Sequence, residues 1–261
     1  MVQILIYSIY FIVGAVIGSF ANVVAYRLPK GISLNNPPST CFECGKQIKW
    51  YENIPIFAYI FLRGKCKNCK TKIPFRDFLV ELLCAVLFLV VGIVFYSQNL
   101  LGSIFICLCI AVLITLACID LDHLYLPSSL LIVLCIFAVA TACTLVFGTI
   151  WEHIIGLLVG GGFLLLVYGV GYLIKKREVV GIGDIKLMAL AGLMLGWRGV
   201  LFAYLVGFVL ASVILLTIRF VHKDKEKNKE YPFVPFLVAG IIISIFVGNI
   251  VFDWYLSLFL I

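Results

Sequence analysis

The feature that most limits what this chain can become is its series of long apolar stretches. A hydrocarbon core about 30 Å thick asks roughly 17–25 apolar residues of each crossing helix. Eight segments fit or approach that length: about Ile4 to Tyr26, Phe78 to Tyr96, Leu100 to Cys118, Ser129 to Phe147, Ile154 to Ile174, a short one from Ile185 to Leu195, Val200 to Arg219, and Pro235 to Val251. Hydrophobic residues make up 64% of the chain, where a soluble domain has about 45–50%. An ordinary soluble domain is thereby excluded. The chain reads as an all-α polytopic membrane protein with about eight transmembrane helices. Its first run has no Lys or Arg before it and no small-residue cleavage site after it, so it reads as a retained span and not as a signal peptide.

Charge orients the spans. Ten of the twenty Lys and Arg residues lie between Arg27 and Arg76; the others are Lys175, Lys176, Arg177, Lys186, Arg198 and five from Arg219 to Lys229. Eight spans that start outside put all of these except Arg198 on one face, as the positive-inside rule asks. The net charge of +7 is thus explained by topology, and no nucleic-acid partner is expected. No fixed-period repeat is evident along the chain. The Lys/Glu-rich stretch Lys223 to Glu230 reads as a solvated, mobile loop.

The sequence divides into a first helix (1–26), a polar segment (27–77) and a seven-helix membrane domain (78–261). The polar segment carries Cys41-Phe-Glu-Cys44 and Cys66-Lys-Asn-Cys69. Two Cys-x-x-Cys turns at this separation offer four thiolates to a tetrahedral ion, the pattern of a zinc ribbon. Disulfides would need an oxidising compartment, whereas the charge pattern puts this segment in the cytoplasm. A region of about fifty residues also has too little core to stand without such a staple. We therefore expect a small cytoplasmic zinc-ribbon-like insertion after the first helix. Trp50 and Tyr51 read as headgroup-level aromatics. Lys65 is either a cation for an anionic ligand or one more positive-inside lysine. The other six cysteines fall in the spans and read as small apolar packers.

Two carboxylates stand out against this background. Asp184, in Val179-Val180-Gly181-Ile182-Gly183-Asp184-Ile185-Lys186, sits between two apolar runs, and Asp120 ends the third span. A carboxylate at such a place costs several kcal/mol unless it is paired, hydrated or functional. Asp122 lies two residues from Asp120 and faces another side of a helix; Asp120, which continues the apolar run, is the better candidate. Gly181 and Gly183 allow unusual backbone angles or a close approach before Asp184. Glu81 reads equally well as a wet or cation-paired residue near the inner end of its span, and His123 as a locally bonded loop histidine. Gly18, Ser19 and Ala21 read as helix-packing residues, with Asn22 able to bond across helices. The glycines at 160–162, 169 and 171 allow close helix contact.

If Asp120 and Asp184 converge, like-charge repulsion leaves one proton between them. The ionised partner can then take a proton from water while the protonated one bonds a scissile carbonyl, which is aspartyl peptide hydrolysis. Such a pair titrates as a unit, so neither residue alone is the base. A proton-coupled transporter would use the same residues, but it would be expected to place them near the midplane and to show internal repetition. A non-catalytic scaffold whose metal module recruits a partner is a third reading.

The ordered set Gly18-Ser19-Phe20-Ala21-Asn22-Val23, Tyr26-Arg27-Leu28-Pro29, the two Cys-x-x-Cys pairs, Asn53-Ile54-Pro55, Ile119-Asp120 with Pro127, Gly181-Ile182-Gly183-Asp184-Ile185-Lys186-Leu187 and Pro232-Phe233-Val234-Pro235-Phe236 resembles the bacterial type IV prepilin peptidases. The resemblance covers essentially the whole chain. It implies a bifunctional enzyme of the bacterial inner membrane. Such an enzyme removes the leader of type IV prepilins or pseudopilins at the cytoplasmic face and then methylates the new amino terminus with S-adenosylmethionine. Residue by residue, it implies catalytic roles for Asp120 and Asp184, an active-site loop containing Gly181 and Gly183, metal ligation by Cys41, Cys44, Cys66 and Cys69, and cofactor binding for methyl transfer by Gly64 and Lys65. The family commonly has Leu at Ala21, an acidic or amide residue at Ser128 and Gly at Val234.

Overall fold

The computed structural model describes residues 1–36, 38–41, 43–176, 180–222 and 231–258. The expected loop from Lys223 to Glu230, and Arg177 and Val179, lie outside the described residues. The described residues form α1 (Val2–Arg27), a short α2 (Phe57–Phe61), α3 (Phe75–Phe95), α4 (Leu100–His123), α5 (Ser128–Cys143), α6 (Ile150–Lys175), α7 (Ile182–His222) and α8 (Val234–Ser257). Among them there are helices and isolated β-bridges but no strand. Among the described residues six helices are long and apolar enough to cross a membrane, and α5 is a shorter apolar one. This is a multi-pass all-α membrane protein. The expected sixth and seventh spans are the two halves of α7, which meet at Gly196 with φ 75° and ψ 175°. Glycine adopts that left-handed φ without a Cβ penalty, so the helix breaks and resumes with no loop between.

Punctuation in the sequence sets the other ends. Pro74 and Pro127 stand immediately before α3 and α5, where a ring that cannot accept a helical predecessor starts a helix well. Thr149 and Glu152 form a capping box at the start of α6, with the Thr149 N–H donating to Glu152 Oε2 at 2.7 Å. Reciprocal bonds of this kind satisfy donors that a helix start leaves open.

The chain packs as two units, Met1–Ile119 and Asp120–Ile261. In the first, α1 lies on α3 through Gly14 and Gly18. A Cβ on Gly14 would come within 2.8 Å of the Cys84 carbonyl, and one on Gly18 within 2.9 Å of the Glu81 Cα. Asn22 makes the cross-helix bond its position suggests, donating to the Asp77 carbonyl at 2.9 Å. Cys84, Cys107, Cys109 and Cys118 are buried in the apolar interior.

In the second unit α6 and the first half of α7 touch backbone to backbone. A Cβ on Gly192 would overlap the Gly156 carbonyl, and one on Gly160 would overlap that of Met188. From the second half of α7, the Tyr204 hydroxyl donates to the Gly160 carbonyl of α6. Arg198, the one cation that the charge rule leaves outside, is held by Asp253 at 3.2 Å and Glu152 at 3.7 Å. Because the Gly192 contact is backbone, no rotamer change relieves it. Gly192→Ala is expected to destabilise the protein by about 1–3 kcal/mol, read as a lowered thermal midpoint in detergent. Gly162→Ala, on the same helix as Gly160 but with open space where its Cβ would go, is expected to be silent.

Candidate active site and thiol cluster

Asp120 lies in the last turn of α4 and is only 6% exposed. Its Oδ2 accepts the Val234 N–H at 3.1 Å, and the carboxylate also takes the N–H of Phe233. These are open donors at the start of α8, where Pro235 occupies the first turn. A helix N-terminus favours an anion there. The carboxylate is thus both buried and satisfied by backbone, across a separation of 114 residues.

Asp184 lies in the first turn of α7. Its carboxylate reaches back to the Gly181 N–H, the acidic half of a capping box, and it is half-buried. It stands close enough to Asp120 to feel that residue's charge. Asp122 and His123 are exposed.

The two glycines of the Asp184 turn have different reasons. A Cβ on Gly183 would lie 2.8 Å from Leu126 Cδ1 and 3.1 Å from Leu126 Cβ. The missing side chain lets the α7 start sit directly on the loop that follows Asp120, so the room at Gly183 is filled by this protein's own Leu126. A Cβ on Gly181 would meet the Asp184 carboxylate at 3.5 Å, an ordinary contact distance.

The thiol cluster is two copies of one turn. In the first, Cys41 N–H donates to the Lys46 carbonyl at 2.9 Å, Gly45 N–H to the Cys41 carbonyl at 2.9 Å, and Ile48 N–H to the Ser39 carbonyl at 2.8 Å. Each bond recurs 25 positions on, from Cys66 to Thr71 at 2.8 Å, Lys70 to Cys66 at 3.0 Å and Ile73 to Gly64 at 2.8 Å. The bridges Thr40–Gln47 and Lys65–Lys72 keep the same offset. The chain therefore contains a local repeat that the sequence reading did not find. Of the ten paired positions only Cys41/Cys66, Cys44/Cys69 and Ile48/Ile73 are identical, and hydrogen-bond register is not visible in residue identity.

All four Sγ atoms lie within 4.8 Å of one another, with Cys41 and Cys69 3.6 Å apart. Thiolates at about 2.3 Å from a tetrahedral ion are about 3.8 Å from each other, so the cluster has the size and donor set for zinc. The Thr71 hydroxyl and backbone hold the Cys69 thiol down to about 6. At Cys41, the backbone N–H groups of Cys44 and Glu43 favour the thiolate, yet burial and the sulfurs of Cys44 and Cys66 leave the thiol pushed up to about 11. A cation held between the four sulfurs would stabilise the thiolates together.

The repeat also exposes a strained residue. Gly45 and Lys70 are equivalent, and both have positive φ, 65° and 62°. Only at Gly45 is that conformation free of a Cβ penalty. Lys70→Gly is expected to stabilise the turn by about 0.5–1 kcal/mol, seen as slower proteolysis of the segment; an unchanged or faster rate would count against the assignment.

Gly64 is buried with φ 64°, and a Cβ there would lie 2.8 Å from the Tyr59 hydroxyl. Tyr59 in turn stacks on Phe78 of α3, with centroids 4.9 Å apart. Gly64 thus has a full packing reason, and Lys65 is exposed beside it. Glu81 meets neither of the fates weighed for it. Its Oε2 accepts the Ile56 N–H at 2.7 Å and the carboxylate also bonds Ser19.

Residues 12–95 match the bacterial peptidase A24 N-terminal domain and residues 106–216 the type IV leader peptidase family. A prepilin leader peptidase/N-methyltransferase of Aeromonas hydrophila is 32% identical, over 98% of this chain and 96% of its own. That of Bacillus subtilis is 30% identical over 96% and 98%, and that of Myxococcus xanthus 34% over 85% and 67%. No solved structure matches. With relatives of this identity along nearly its whole length, the chain belongs to the type IV leader peptidase family.

Proposed function

We propose that Asp120 and Asp184 are the catalytic pair of a prepilin leader peptidase in the bacterial inner membrane, which also N-methylates the shortened product. The observation that carries this is the pairing of a buried carboxylate on the α8 N-terminus with a second one within reach of its charge. In hydrolysis the ionised carboxyl takes a proton from water as the oxygen attacks the scissile carbonyl. The protonated carboxyl donates to the carbonyl oxygen, and the proton gained from water passes to the departing amine. A prepilin or pseudopilin suits such a site because its cleavage point lies between a basic leader and an apolar helix, at the membrane boundary. Backbone hydrogen bonds of that helix must open first, so the substrate is cut in an extended stretch.

Cys41, Cys44, Cys66 and Cys69 would hold a structural zinc ion that cross-links the two turns. The segment 27–77 would serve methyl transfer, with S-adenosylmethionine as the methyl donor. Gly64 supports the path of the chain there, and Lys65 offers a cation at its surface.

The test is purified full-length protein in detergent with a synthetic prepilin and a synthetic pseudopilin, and product masses recorded with and without S-adenosylmethionine. Cleavage without the donor and one added methyl group with it are expected. No cleavage of any precursor would overturn the reading.

A further inference from the structure

The Met1–Ile119 unit contains a cleft of about 330 Å³ between the inner end of α1 and the chain around residues 34–55. That volume falls in the small-molecule range, about 300–1,000 Å³. Its walls include Ser19, Phe20, Arg27, Asn35, Ser39 and Asn53. Phe20 lies exposed on the α1 stripe that faces the cleft, and Arg27 Nη1 donates to the carbonyls of Ser33 and Leu34, at 3.0 and 3.2 Å. A guanidinium has five N–H donors, so Arg27 shapes the rim and keeps donors for a ligand.

One end of the cleft is held in an unusual way. Ile56 has φ 66° and ψ −54°, and Phe57 N–H donates to the Pro55 carbonyl at 2.7 Å. This is a γ-turn of the positive-φ kind, rare and strained even before its centre is a β-branched residue. The Glu81 carboxylate takes the Ile56 N–H and the Ser19 hydroxyl. A strained turn persists where its surroundings over-determine it, and such turns gather at ligand sites. Here a carboxylate is fixed directly behind the wall residue Ser19 and gives that end a negative potential.

We infer that this cleft is the methyl-donor site: it takes an adenosyl sulfonium, the positive sulfur toward the Ser19–Glu81 end and the base on Phe20. The inference rests on the methyltransferase reading above and places the donor away from Gly64, whose Cβ space is occupied by Tyr59. Asn35, Ser39 and Asn53 supply donors and acceptors for ribose and base, and Arg27 faces the ligand's carboxylate. A second cleft of similar size, beside Phe57 and Phe61, has Glu52 as its carboxylate, already paired with Lys67 at 3.1 Å. In the transfer, the neutral terminal amine attacks the methyl carbon, the C–S bond breaks, and its electron pair stays on sulfur as a neutral thioether. The new ammonium releases its proton to water. Glu81 is a positioning residue, whose charge distinguishes the sulfonium from that thioether.

The test measures binding of S-adenosylmethionine and S-adenosylhomocysteine to full-length protein, with methyl transfer to a pre-cleaved peptide and precursor cleavage assayed separately. Asn53→Leu and Ser39→Leu, which fill the cleft, are expected to weaken donor binding at least about tenfold and leave cleavage within about twofold. Glu81→Gln keeps an acceptor for the Ile56 N–H, so it is expected to weaken the sulfonium several-fold more than the thioether. Wild-type donor affinity in both cleft variants would overturn the location, as would equal effects of Glu81→Gln on the two ligands. A wild-type protein that cleaves precursor but neither binds the donor nor transfers methyl would instead overturn the methyltransferase reading beneath it.

Discussion

Asp184→Asn and Asp120→Asn will each lower prepilin cleavage by about 10²–10⁴-fold, the usual range for losing a general acid or base, while Asp122→Asn will stay near wild type. The contrast follows from geometry. Asn at 120 keeps an oxygen for the Val234 N–H, so α8 retains its anchor and the fold survives. What it loses is the second ionisable group and the proton shared with Asp184. Asp122 is exposed and spends no burial energy on its charge. Measured with purified variants at equal thermal midpoints, retained cleavage in either of the first two would remove the pair from the mechanism. A double variant should be no slower than the worse single one, because residues that act as a unit are not additive.

The second large effect concerns the thiols. Cys66→Ser, or exhaustive chelation, is expected to open both turns and make the segment between Ser39 and Ile73 rapidly digestible by trypsin. Structural zinc contributes about 10–16 kcal/mol in isolated finger peptides, far more than two short turns of this size retain without it. Methyl transfer should disappear with it. Cleavage should largely persist, because both aspartates belong to the Asp120–Ile261 unit and all four cysteines to Met1–Ile119. Metal analysis should give one zinc per chain in wild type and none in Cys66→Ser. A metal-free wild-type protein with an intact, protease-resistant segment would refute the zinc assignment.

Much of this was readable from the chain because membrane burial makes charge conspicuous. The apolar runs located the helices, and the cost of burying a carboxylate singled out Asp120 and Asp184. Cysteine spacing located the thiol cluster. What was not readable depends on contacts far apart in sequence. Nothing local says that Asp120 caps a helix beginning at Val234, or that Leu126 fills the space left by Gly183. The unbroken passage from the expected sixth span to the seventh at Gly196 was not readable either, because a helix that breaks and resumes at one residue has the same composition as a short turn. Glu81 was undecidable for the same reason, since its partners are a hydroxyl on α1 and one strained N–H.

The twofold character of the thiol turns has a bearing on how such a centre arises. A four-ligand site normally demands that four positions be specified at once, each useless without the others. Here one local conformation, specified twice, is enough: a single turn already presents two sulfurs, and a second copy at the same register completes the tetrahedron. Because the shared hydrogen bonds are made by backbone, the side chains on it are then free to diverge between the copies, as at Gly45 and Lys70. Exchanging whole turns, with 39–48 placed at 64–73, should therefore preserve the metal while changing whatever the outer surface of the second copy contacts.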